Sequence, residues 1–196
     1  MTQSFSPPVP TTTASAMIPS AVDDDPMTGG WQRGDAVDAA TLRSTAGAFP
    51  SGVTIITSRS GDTPVGLTIS SFASVSLDPP LLLVCVARTA GSLPAFRVGG
   101  PMGVNVLAHD QGWLARRFAS RHDDRFAGVA HRTGPHGVPL LDDVAAWLDC
   151  HIARMYDGGD HVILLVRPHS VHRSDRSPLL YHSGQMHDWS LAVGQA

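Results

Sequence analysis

The chain has 196 residues, 42% of them hydrophobic and 16% charged, a composition that suits one folded domain carrying a tail. All 14 cationic side chains are Arg and all 17 acidic ones are Asp, for a net charge of −3. Lysine chemistry is therefore excluded, whether Schiff base, nucleophile or P-loop, as are glutamate bases, and no basic field is available to hold nucleic acid.

Residues 1–33, rich in Pro, Ser and Thr and then acidic, read as a disordered extension, with a folded domain over 34–190. That domain is expected to open with a helix capped by Asp35 and ending before Pro50. Short β-rich runs bounded by Gly, Pro and Asp follow at 53–58, 64–72, 79–87 and 101–108. Helices are expected at 91–99 and at 110–120, the second capped by Asp110, and then a His/Gly/Pro-rich loop at 129–139. Two long strands, 145–156 and 161–172, are joined by a turn over Asp157-Gly158-Gly159-Asp160, and a last strand covers 178–184. About seven mostly consecutive strands against three helices disfavour a βαβ alternation. The fold class expected is all-β to α+β, an antiparallel β-barrel with peripheral helices.

Spacing removes several chemistries. Cys85 and Cys150 lie far apart, each in an apolar run, and read as two buried reduced thiols of a cytoplasmic protein, with a disulfide between them as the alternative. No two glycines stand at i, i+2, so a GxGxxG turn is excluded, and there is no GxSxG elbow. The longest apolar stretch, 79–87, is too short to cross a bilayer, and no signal-peptide pattern opens the chain. Histidines 131, 136 and 151 share no short spacing and are expected to have no acid fixed beside them, while His169 and His172 fall on opposite strand faces, so no metal site is expected.

What is left points to a neutral ligand site. Thr68, Ser70, Ser71, Ser74 and Ser76 group hydroxyls and amides in a way that suits a heteroaromatic ring or a phosphate. Arg88 and Ser92 lie at the start of the expected 91–99 helix, a second anion site. Asn105, the only asparagine, is either a structural amide or a ligand contact. Arg116, Arg117, Arg121 and Arg125 cluster with Asp123 and Asp124, which implies ion pairing, with one arginine available to a phosphate. His161 follows a glycine turn and can either cap the hairpin or stand at the barrel mouth beside a ligand.

These segments together resemble a known family. FPSGVTIIT (49–57), PVGLTISSFASVSLDPPLLLVCVAR (64–88), MGVNVL (102–107), DRFAG (124–128), YDGGDHVILL (156–165) and PLLYHSG (178–184) are similar to the flavin reductase-like family. The resemblance covers about residues 39–187 and implies a split β-barrel homodimer with FMN or FAD at its interface. It implies NADH or NADPH as hydride donor and a reduced-flavin-dependent monooxygenase as partner. By the same resemblance Thr68, Ile69, Ser70 and Ser71 meet the flavin ring and ribityl chain, and Ala87, Arg88 and Ser92 lie near the phosphate. His161 faces the nicotinamide, with Tyr181 near the same pocket. Ser70 stands where the family often has Asn, which bears on the choice between FMN and FAD. The alternative is a non-catalytic flavin- or haem-binding protein on the same barrel; a further one is another flavoenzyme acting on a small organic substrate. Hydride transfer to a flavin asks for positioning more than for a protein acid or base, in keeping with the missing Lys and Glu.

Overall fold

The computed structural model describes residues 37–121 and 124–189. The expected extension over 1–33 and the Asp35 cap lie outside the described residues. Helix α1 (Ala39–Ala46) begins instead at Asp38, which is extended (φ −65°, ψ 153°) and accepts hydrogen bonds from the Ala40 and Thr41 amides. Twelve strands follow among the described residues: β1 (Ser51–Gly52), β2 (Thr54–Ser60), β3 (Thr63–Ile69), β4 (Ala73–Leu77), β5 (Pro80–Ala87), β6 (Pro101–Val106), β7 (His131–Thr133), β8 (Pro139–Leu141), β9 (Ala146–Gly158), β10 (His161–Arg173), β11 (Leu179–His182) and β12 (Gln185–Asp188). Helix α2 (Gly112–Ala119) lies between β6 and β7.

Seven strands form one sheet in the order β3-β2-β6-β9-β10-β5-β4, and every pairing in it is antiparallel. The protein is thus mostly antiparallel β with two helices. The long hairpin β9–β10 is tighter than the four-residue turn expected, since Gly158 pairs with His161 and only Gly159 and Asp160 reverse the chain. Gly159 has φ 75°, a left-handed value that a glycine takes without strain.

Four other expectations are corrected. The 91–99 helix shrinks to one 3₁₀ turn, Leu93–Ala95, because Phe96 must extend (φ −96°, ψ 111°) to bury its ring in the core. Asp110 does not cap α2; its carboxylate is bound by Arg176 Nη2 at 2.5 Å, and Gln111 holds the cap position with no side-chain bond to the helix. The 64–72 run breaks after Ile69, and the 129–139 loop contains β7 and the start of β8, paired as a small hairpin.

Two apolar clusters flank β2. Ile56 packs with Val84, Val86, Val104, Ile152 and Leu164 on one face, and Ile55 with Leu107, Leu114, Phe118 and Leu141 on the other. Adjacent strand residues point to opposite faces, so two neighbouring isoleucines serve both clusters. Beneath β8 the packing turns polar. Thr57 Oγ1 donates to the Pro139 carbonyl at 2.5 Å, and a Cβ built on Gly103 would reach that carbonyl at 3.0 Å and overlap Thr57 Oγ1. Only glycine allows this approach.

Candidate functional site

A cavity of about 540 Å³ opens at the C-terminal ends of β3 and β5. Thr68, Ile69, Ser70 and Ser71 line one wall, Ala87 and His161 a second, and Tyr181, Gly184 and Met186 a third. Register explains the meeting, since His161 pairs with Ala87 across β10 and β5 while Thr54 holds Ile69 beside the floor residue Val53. The volume lies in the range of small-molecule sites. The lining is largely apolar with a few hydroxyls, which suits a heteroaromatic ring.

Two of those hydroxyls already have partners. Thr68 Oγ1 donates to the Ala115 carbonyl of α2 at 2.7 Å, which fixes the wall against the helix. Ser71 Oγ accepts from the Cys85 amide at 2.9 Å and lies 3.1 Å from the Cys85 carbonyl, standing in for a strand rung between the β3–β4 link and β5. Ser70 is exposed. Cys85 is a half-buried free thiol that lines the cavity, not a buried one as expected, and only Cys150 is fully buried. Burial, then the neighbouring Asp149 charge, pushes the Cys150 thiol up to about 12.

A second cavity of about 570 Å³ shares Leu67, Thr68 and Ala119 with the first and continues along Ser92, Arg121 and Arg125. Here two buried polar atoms have no partner, Ser92 Oγ and Arg125 Nε. Arg125 is steadied by an Nη1 bond of 2.7 Å to the Gly66 carbonyl. Buried donors without partners carry a cost that an anionic ligand oxygen would remove. The arginine cluster otherwise departs from the expected ion pairing. Arg117 binds the Arg125 and Ala127 carbonyls at 2.8 and 2.6 Å, and Asp124 accepts from the Phe126 and Ala127 amides. Asp123 lies outside the described residues.

Arg88 and Asn105 sit differently from expectation. Arg88 turns onto the β9–β10 turn, with Nε donating to the Gly159 carbonyl at 2.9 Å and Nη2 to Asp157 Oδ1 at 2.8 Å. The Arg88 guanidinium, first among the causes, holds the Asp157 carboxyl below the usual carboxylate range. Asn105 is fully buried and lines none of these cavities. Its Nδ2 donates to the Ile55 carbonyl at 3.0 Å, and its Oδ1 accepts from the Leu141 amide at 2.8 Å. Every group it needs is protein, the arrangement a structural amide calls for. Arg125 was named in sequence only as one of four arginines, and Met186, from a strand not expected at all, carries no sequence signal of a site.

Beyond the cavities, His136, anchored by Asp149 at 3.1 Å, and His151 both stand 4.6 Å from the His169 ring. The fully buried Asp149 is thus an acid beside a histidine, against expectation. Among the described residues, no group of His, Cys or Asp is arranged to hold a metal ion, and no helix is long and apolar enough to cross a membrane.

Sheet, cavity and adjoining pair of unpartnered donors define a β-sheet domain with a groove that suits a small anionic ligand. Comparison makes that class definite: residues 46–190 match the flavin reductase like domain, and the chain belongs to that family. A probable flavin reductase of Rhizobium meliloti is 41% identical over 75% of this chain, which spans 48% of that relative's length. The reductase subunit HsaB of a flavin-dependent monooxygenase from Rhodococcus jostii is 40% identical over 77% of this chain and 78% of its own. Among solved structures, the NADH:FAD oxidoreductase SgcE6 of Streptomyces globisporus, in complex with NAD and FAD fragments, matches with a TM-score of 0.70 at 37% identity, covering 78% of this chain and 95% of that one.

Proposed function

We propose that this protein uses NADH or NADPH to reduce FMN or FAD and supplies the reduced flavin to a partner monooxygenase. The observation that carries the reading is the union, in one groove, of residues 68–71, Ala87, His161 and Tyr181 with the unpartnered donors Ser92 and Arg125 next door. A ring would rest on Val53, Ile69 and Ala87, and its phosphate would take the Ser92 and Arg125 donors. Bound flavin supplies the hydride acceptor and the nicotinamide the hydride. The protein's share would be to orient the two rings, with His161 at the rim, and to keep water from the floor with apolar side chains.

The domain on this reading runs over 34–190 and closes as a split barrel. Support for closure comes from Ser71, which ties the end of β3 to β5, and from Ile69, which packs with Val84 and Val86. The working unit is a homodimer. Core residues Val84, Val86, Val162 and Leu164 alternate with Leu83, Cys85, Ile163 and Leu165, whose half-buried face continues into the groove at Ala87 and His161. A second copy on that face would cover apolar surface and wall in the ligand. The site of action is cytoplasmic.

The test follows NADH and NADPH oxidation at 340 nm with and without added FMN or FAD. Oxidation that rises with added flavin is expected. A yellow protein without turnover would overturn the catalytic reading in favour of a binding protein, and a Soret band would replace flavin with haem.

A further inference from the structure

We propose that Asp160 and Arg88 are positioning residues for His161, Asp160 setting which ring nitrogen carries the proton and Arg88 locking the turn that holds Asp160. The inference rests on the reading of His161 as the side chain that meets the nicotinamide. His161 Nδ1 lies 2.7 Å from Asp160 Oδ1. A carboxylate only accepts, so the shared proton belongs to Nδ1, and Nε2 is left as the ring nitrogen for a ligand in the groove. In the neutral ring Nε2 accepts, the complement of a carboxamide N–H.

An exposed Asp–His contact between neighbours in sequence would ordinarily be loose. Here the turn beneath it is tied from outside. The Arg88 amide donates to the Asp160 carbonyl at 2.9 Å, and the Arg88 side chain reaches the Gly159 carbonyl and Asp157 Oδ1. The same Asp157 oxygen accepts from the Gly159 amide at 3.0 Å, so one strand end grips the two-residue reversal at three points. Pairing of His161 with Ala87 fixes the backbone that carries the ring. The backbone that carries carboxylate and imidazole is thus held in one geometry before any ligand arrives, which favours orientation at a reacting centre. The asparagine isostere of Asp160 can still accept from Nδ1–H, whereas alanine cannot.

The experiment reads the His161 tautomer by nitrogen-15 NMR at pH 8 in the full chain, together with steady-state NADH kinetics at saturating flavin, for wild type, Asp160→Asn, Asp160→Ala and Arg88→Ala. Wild type and Asp160→Asn should show the Nδ1–H tautomer. Asp160→Ala should move toward Nε2–H and raise KM for NADH by about 3- to 20-fold, with kcat within about twofold, as loss of a ground-state contact does. Arg88→Ala should raise KM by a similar factor while flavin Kd changes by less than about threefold. An unchanged tautomer in Asp160→Ala, or equal KM losses in the Asn and Ala variants, would overturn the role of Asp160. A flavin Kd raised about tenfold or more in Arg88→Ala would overturn the role of Arg88 in favour of the phosphate contact. Wild type that shows the Nδ1–H tautomer but oxidises no NADH would sink the functional reading on its own, a result distinct from either.

Discussion

Replacing Asn105 with alanine separates its two sequence readings sharply. Beside the Thr57 bond to Pro139, the amide joins β8 to the strands beneath it through Leu141 above and Ile55 below, and it has no exposed surface. Deleting it leaves the buried Leu141 N–H without its 2.8 Å acceptor, at a cost of about 1–3 kcal/mol. The small void adds about 1 kcal/mol if the site relaxes only in part. A loss of about 2–4 kcal/mol is therefore expected, read as a lower urea midpoint at unchanged slope by tryptophan fluorescence. Under native conditions flavin Kd should stay within about twofold, because Asn105 lines neither cavity. A variant within about 0.5 kcal/mol of wild type that binds flavin tenfold more weakly would refute the structural account and restore Asn105 to the site.

His161→Ala should lower kcat/KM for NADH by about 2- to 150-fold while flavin Kd changes far less, as steady-state kinetics and flavin titration on the same protein will read. Burial, then the charges of His169, Arg167 and His136, lowers the His151 pKa from its ordinary 6.5. The unfolded chain thus protonates first, and the stability this group contributes is complete above about pH 6.5 and lost as pH falls below it. The fall in Tm from pH 7.5 to 5.5 should be smaller in His151→Gln than in wild type, and equal falls would refute the assignment. Leu83→Asp, on the apolar face of β5, should yield a monomer by light scattering with weakened flavin binding. Removal of residues 1–30 should leave Tm within a few degrees and flavin reduction intact, since the family match begins at residue 46.

The strands were legible because their apolar runs are long and bounded by Gly, Pro and Asp. β9 and β10 came through within a residue or two, since nothing but a hairpin fits two such runs joined by paired glycines. Short elements were not. β7 and β8 have three residues each and no period to read, and the single turn at Leu93–Ala95 loses its helix to the core's demand for Phe96. In the site, the Thr68–Ser71 segment and His161 stood out through local chemistry and resemblance. Arg88 was placed near a phosphate because its partners, Asp157 and Gly159, are distant in sequence and no local pattern announces a guanidinium folding back onto a turn. Asn105 was ambiguous for the same reason, because its acceptor role depends on β8, a strand that was not expected.

The two clusters that meet at β2 set how the groove can move. Five consecutive residues, Thr54–Ser58, are buried, and the strand has a neighbour on each edge, β3 and β6. Neither cluster can open without uncovering the strand the other leans on, so the two behave as one cooperative unit, and β2 amides should exchange with solvent only when the whole domain unfolds. The groove floor is mounted on that strand, Val53 directly before it and Ile69 paired to Thr54. Its rim is not: the tip of the β11–β12 hairpin, residues 182–185, is exposed and belongs to neither cluster. Ligands of different size would therefore be accommodated by that hairpin against a floor that does not yield, and differences in selectivity among relatives should trace to residues 181–186 rather than to the floor.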